Sequence, residues 1–185
     1  GGVTLVDVGD TLSGSLPAQS NTLTIRHSEN QLVPGTGNPI SPRTVFYGAA
    51  NVGALHFIVS SLNATPPGQL IGIDVHSITI LITMANSSQT AAVSRLSLWQ
   101  DDGDSLFEPN AGEVLIQQRV PTDITKWSVA GNVISVTFDG TAIENLADIP
   151  SGGVRPFWVG IDFTGGLDAV CEVTVSRLGI IGSLG

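Results

Sequence analysis

Alternation of apolar and polar residues with a period of two, without any sustained helical period, is what most limits the folds open to this chain. Leu55, Phe57 and Val59 share one side of an extended run, and Ile78, Ile80, Ile82 and Met84 share one side of another. Ile134, Val136 and Phe138 form a third such row, with Ser135 and Thr137 opposite. Successive side chains of a strand point to opposite faces, so each run offers one oily face and one polar face. Clusters of Gly, Pro, Asn and Asp separate these runs. Strands are therefore expected near residues 3–8, 23–27, 45–47, 54–60, 75–84, 92–99, 113–120, 132–139, 157–163 and 169–180. Residues 141–146 have room for one helical turn before Pro150. Ten short strands with almost no helix predict an all-β fold, a β-sandwich of jelly-roll or immunoglobulin-like type. At 185 residues the chain has the length of one such domain.

The first fifty residues read differently. Residues 9–22 are rich in Gly, Ser, Asn and Thr and look like a linker, and residues 34–42 carry three prolines and two glycines. From Ala54 onward strands are denser and loops shorter. The expected organisation is an extended N-terminal strand arm and linker over residues 1–22, followed by a sandwich over residues 23–185. No internal repeat is evident. The Gly1-Gly2 start fits either a cleaved signal peptide or an engineered start.

Charge and hydropathy narrow the function classes. Only 12% of residues are charged, and mean hydropathy is +0.29, against a usual charged share of about 25%. No stretch reaches the roughly 18 apolar residues that span a bilayer. Even the most apolar segment, from Ile78 to Met84, is interrupted by Thr79 and Thr83. An apolar water-borne chain hides its surplus surface in contacts between subunits. A covered monomer with a Ser/Thr-rich surface is the alternative. Net charge is −9, Lys126 is the one lysine and the six arginines are scattered. Nucleic acid, whose phosphates need clustered Lys and Arg, is not an expected partner. Membrane insertion is not expected either. The lone Cys171 rules out a disulfide framework and reads as a buried small hydrophobe.

The acidic segment is the sharpest local motif. Five of the sixteen acidic residues fall between Asp101 and Glu113. Like charges this close repel unless water or a cation screens them. Calcium takes six to eight oxygen ligands, and with Asp102 as the first, Asp104, Glu108 and Glu113 fall at positions 3, 7 and 12 of a helical calcium loop. Asp101 and Asn110 supply further oxygens. Strands rather than a helix pair flank the motif, and Gly103 sits at position 2 rather than 6. Asp101, Asp102, Asp104, Glu108, Asn110 and Glu113 are thus candidate calcium ligands. A solvated hairpin loop, with Asp and Gly serving turn geometry, is the other reading.

The run Leu96-Ser-Leu-Trp-Gln-Asp-Asp-Gly-Asp104, with Phe107-Glu-Pro109 and Glu113-Val-Leu-Ile116, resembles β-sandwich modules of prokaryotic extracellular surface proteins. Val133-Ile-Ser-Val-Thr-Phe138, Ile149-Pro-Ser-Gly152 and Phe157-Trp-Val-Gly-Ile-Asp162 extend the likeness over about residues 73–180. In those modules a loop of the form Leu-x-Asp-Asp-Gly-Asp-Gly-x-Phe joins two strands, and a later aromatic strand ends in Asp. This chain departs at Ser105, where a second glycine is usual. The resemblance implies an extracellular or cell-surface location and a non-catalytic role.

Catalytic signals are weak. His27, His56 and His76 show no His-x-His or His-Glu-x-x-His spacing, and no Gly-x-Ser-x-Gly elbow or phosphate-binding glycine loop occurs. An enzyme is not expected. His56, opposite Leu55 and Phe57 in the alternation, should face outward or between layers. Trp99 and Trp158 fall in predicted strands and read as core. Trp127, in a loop-like stretch after Lys126, is the candidate platform for a sugar ring. Asn63 and Asn86 head Asn-x-Ser/Thr sequons and are candidate glycosylation sites.

The arm completes the reading. Val3, Leu5, Val6 and Val8 make a short apolar strand on a tether. An open sheet edge offers N–H and C=O groups that a strand from another copy can satisfy. Head-to-tail pairing of that kind propagates as a fibre, and resembles strand donation among extracellular pilus subunits. The expected function is a subunit of an extracellular filament or surface layer, assembling with other copies of itself by β-strand complementation. A secreted adhesion or carbohydrate-binding module with a glycan ligand is the alternative.

Overall fold

A computed structural model describes residues 30–34, 43–46, 48–61, 73–150, 152–164 and 170–184. Ten strands are present among them: β1 (Asn30–Pro34), β2 (Arg43–Phe46), β3 (Val52–Ser61), β4 (Ile73–Met84), β5 (Val93–Gln100), β6 (Val114–Arg119), β7 (Trp127–Ala130), β8 (Val133–Asp139), β9 (Val154–Phe163) and β10 (Val170–Leu184). They form two five-stranded antiparallel sheets, one in the order β1-β3-β9-β5-β6 and the other β2-β10-β4-β8-β7. Among the described side chains, those that close the sandwich come from β3, β9, β5 and β6 on the first sheet and β4, β8 and β7 on the second, joined by the segment after β8. The protein is a β-sandwich, as the alternation implies.

The three sequence rows are the core. Ile78, Ile80, Ile82, Ile134, Val136 and Phe138 are each 0% exposed, and β4 and β8 pair in the register that sets Ile78 beside Phe138 and Ile80 beside Val136. From the first sheet Phe57 and Phe157 meet as a stacked pair, ring centroids 5.2 Å apart, with Val59, Leu96, Leu98, Val159 and Ile161 around them. On the outer side of β4 and β8 the Thr79 and Thr137 hydroxyls hydrogen-bond at 3.0 Å. The helical turn expected at residues 141–146 is α1 (Thr141–Leu146). It packs against β4, β6 and β8 and inserts Ile143, followed by Ala147 and Ile149, into the core. Asp148 Oδ1 accepts a hydrogen bond from the Val75 amide at 2.9 Å, fixing the segment that follows the turn.

Two sequence readings are corrected here. Residues 127–130 form the edge strand β7 rather than a loop, and Trp127 is 6% exposed within the hydrophobic core. Its ring therefore has no open face on which a sugar could stack. β1, which contains Pro34, was not among the expected strands. Proline suits that position, because β1 lies at the edge of its sheet. The arm residues Val3, Leu5, Val6 and Val8, the strand expected at 23–27, His27 and the sequon at Asn63 lie outside the described residues.

Candidate metal centre

The segment between β5 and β6 packs back on the sheet through Phe107 and its two buried ends, Asp101 and Glu113, while most of its other residues are exposed. β5 lies beside both β6 and β9, so the connection that leaves it can fold back over the outer face of the first sheet. Trp99, Trp158 and His56 stand on that face. Trp158 is cross-strand neighbour of both Trp99 and His56. The His56 ring stacks on Trp158 at a centroid distance of 4.7 Å, with an interplanar angle of 18°. Phe107, from the middle of the connection, caps this group, edge-on to Trp99 at 6.0 Å and tilted on Trp158 at 5.5 Å. His56 does leave the main core, as its place in the alternation implies, yet it is 0% exposed because the connection covers it. Trp99 and Trp158, at 6% and 2% exposure, belong to this second cluster rather than to the main core.

Asp101 anchors the near end of the connection. Its backbone N–H donates to the Pro156 carbonyl at 3.1 Å, continuing the sheet by one step. Its Oδ2 is 3.1 Å from His56 Nε2, and its Oδ1 is buried with no hydrogen-bond partner among the described residues. The next residues form tight turns, in which Asp102 Oδ1 accepts from the Asp104 amide at 3.2 Å and Asp104 Oδ1 from the Leu106 amide at 2.8 Å. Ser105 has φ +66°, the left-handed region in which glycine is at ease.

These turns bring Asp101, Asp102 and Asp104 together. Each offers a carboxylate oxygen, and the three oxygens lie within 4.8 Å of one another. Asp102 and Asp104 are exposed, whereas Asp101 is 3% exposed. An oxygen-only set of this charge is the chemistry of a hard divalent cation of the calcium or magnesium class. No protein-family model matches the chain, and no curated protein matches it. The resemblance to surface-protein modules therefore rests on its motifs, and what stands is a β-sandwich domain of two antiparallel sheets carrying an acidic aspartate triad.

Glu108 and Asn110 are exposed, and neither Glu108 nor Glu113 is among the three carboxylates that lie within 4.8 Å of one another. Glu108 contributes its backbone instead: its N–H donates to Glu113 Oε1 at 2.6 Å, and its carbonyl accepts from the Ala111 N–H at 2.8 Å. Asn110 sits at φ +83°, a turn position that asparagine tolerates. Glu113 is 8% exposed, and its Oε2 has no hydrogen-bond partner among the described residues. His56 is the neighbour that spacing along the chain could not reveal, because it meets Asp101 only through the pairing of β3, β9 and β5.

Proposed function

We propose that this chain is a non-catalytic structural module of an extracellular filament or surface layer, stiffened by a calcium-class cation at Asp101, Asp102 and Asp104. The observation that carries the cation reading is the state of Asp101. A carboxylate withdrawn from water needs compensating charge or hydrogen bonds; His56 meets Oδ2 alone, and Oδ1 has no hydrogen-bond partner among the described residues while two more carboxylates stand beside it. The assembly reading draws on the low charge of the chain, its apolar arm at residues 3–8, and the composition of β6. That edge strand begins with Val114 and Leu115, 52% and 40% exposed, and reaches its first charge at Arg119. Its register with β5 skips Ile116, a bulge of the kind that guards edges, but the strand has no proline and no charge before Arg119.

Two measurements test the two halves. Calcium titrated into chelator-treated protein should give saturable heat and raise the melting temperature, since a ligand held only by the folded state stabilises it by mass action. Identical melting curves with calcium and with chelator would remove the cation from the reading. Light scattering and negative-stain microscopy should show polymers for the full chain and a folded monomer after deletion of residues 1–9. Unchanged polymers after that deletion would sink strand donation by the arm, and a concentration-independent monomer of the full chain would favour the adhesion-module alternative.

A further inference from the structure

Glu113 stands in a definite relation to Asp101. β5 and β6 pair as far as Gln100 opposite Val114; Asp101 follows and Glu113 precedes that last pair, and Glu113 itself bridges to Pro109. Trp99 is opposite Leu115 in the pair before it, and Asp101, two residues after Trp99 and bonded to Pro156 in continuation of the sheet, is on the same covered outer face. Both carboxylates are more than nine-tenths buried, and each has one oxygen with no hydrogen-bond partner among the described residues, Asp101 Oδ1 and Glu113 Oε2. His56 can offset one negative charge at most. Asp102 brings a third carboxylate to the same place: its oxygen packs so closely on Gly112, the residue before Glu113, that a Cβ there would collide with it.

We infer that Glu113 is a ligand of the same cation as Asp101, so that the ion ties the two ends of segment 101–113 together and holds Phe107 down on Trp99 and Trp158. The inference rests on the cation reading above and adds to it the buried ligand and the consequence of binding. Glu113 lies outside the group of three whose oxygens fall within 4.8 Å. Oxygens on opposite sides of a calcium ion stand at most about 5 Å apart, so the inference requires Glu113 Oε2 to close to within that span when the ion binds. Glu113 Oε1 is already held by the Glu108 amide at 2.6 Å, which keeps the carboxylate in place and leaves Oε2 to the ion.

The test compares calcium and terbium binding to the full chain and to Glu113→Gln, with Glu108→Gln as control. Glutamine keeps an Oε1 acceptor for the Glu108 amide and removes the charge, so a merely structural Glu113 would leave affinity unmoved. The expected result is a loss of calcium affinity of tenfold or more in Glu113→Gln, little change in Glu108→Gln, and tryptophan-sensitised terbium emission from the unmutated protein. A readout independent of any substitution is the carboxylate carbon resonance of Glu113 in labelled wild-type protein, expected to shift with Asp101 on calcium addition while Glu108 stays. Wild-type affinity retained in folded Glu113→Gln, or an unmoved Glu113 resonance on saturation, overturns the inference and leaves the aspartate site intact. Absence of calcium and terbium binding by the wild-type chain overturns both together.

Discussion

Gly53 and Gly160 face each other across β3 and β9, and the ring of Phe107 fills the space that their missing side chains leave. A Cβ on Gly53 would stand 2.9 Å from Phe107 Cδ1, and one on Gly160 would stand 2.8 Å from Phe107 Cζ. The two glycines thus form the seat of a loop that begins some fifty residues away from either. Gly160→Ala must lift Phe107 off Trp158 or shift β9. Overpacking of this kind costs about 1–3 kcal/mol, and urea unfolding should show a loss in that range. Phe107→Ala in the Gly160→Ala background should recover part of it, because the clash is then gone. Additive losses in the double variant would show that the two positions do not meet.

The buried Asp101–His56 pair separates two roles of one carboxylate. Asp101→Asn keeps an oxygen that can accept from the imidazole, whereas Asp101→Ala leaves a fully buried ring nitrogen without that partner. Stranding a buried polar group costs about 1–3 kcal/mol. Asp101→Ala should therefore be less stable than Asp101→Asn by roughly that amount in denaturant unfolding without calcium. Both variants should lose the stabilisation that calcium confers, because neither supplies a charged oxygen. Equal stability of the two without calcium would mean that the His56 contact contributes nothing.

The main core was legible because its rows alternate cleanly: Ile78, Ile80, Ile82 and Met84 could face one way only. The second cluster was harder to read. Its signal lay in β9, where every residue from Phe157 to Phe163 is buried, and a continuous apolar run marks a strand covered on both faces. Nothing local says what does the covering. That depends on where segment 101–113 folds, and hence on two glycines far away in sequence. β7 escaped for the opposite reason. Of its four residues only Trp127 is buried, so no alternation is left to detect, and a lone tryptophan between polar neighbours looks like a surface residue. Within the acidic segment, spacing reached the three aspartates that the fold brings together, but a helical calcium loop is a poor template for a connection between strands and does not tell which further oxygens join them.

Trp127 gives a direct measure of that misreading. At 6% exposure among core residues, Trp127→Ala opens a large cavity, for which core aromatic truncations cost about 3–5 kcal/mol. Trp127→Phe should lose much less. The midpoint of urea unfolding checks both. A Trp127→Ala protein as stable as wild type would return the residue to the surface and reopen the sugar platform.

The exposed start of β6 offers a test of assembly that leaves the arm intact. Leu115 is 40% exposed on an edge strand whose outer backbone groups face away from β5. Lysine at such a position is a common guard against strand addition, because its charge must stay hydrated while an incoming strand would exclude water from it. Leu115→Lys removes partly exposed apolar surface, and substitutions at such sites usually change folding stability by no more than about 0.5 kcal/mol. The expected outcome is a monomer by light scattering with a melting temperature close to that of wild type. If polymers formed by the wild-type chain persist in Leu115→Lys, the joint lies elsewhere, and the same substitution at Val129 on the β7 edge becomes the next one to make. If Leu115→Lys also unfolds the domain, Leu115→Ser separates the two effects, since serine weakens the apolar contact without adding charge.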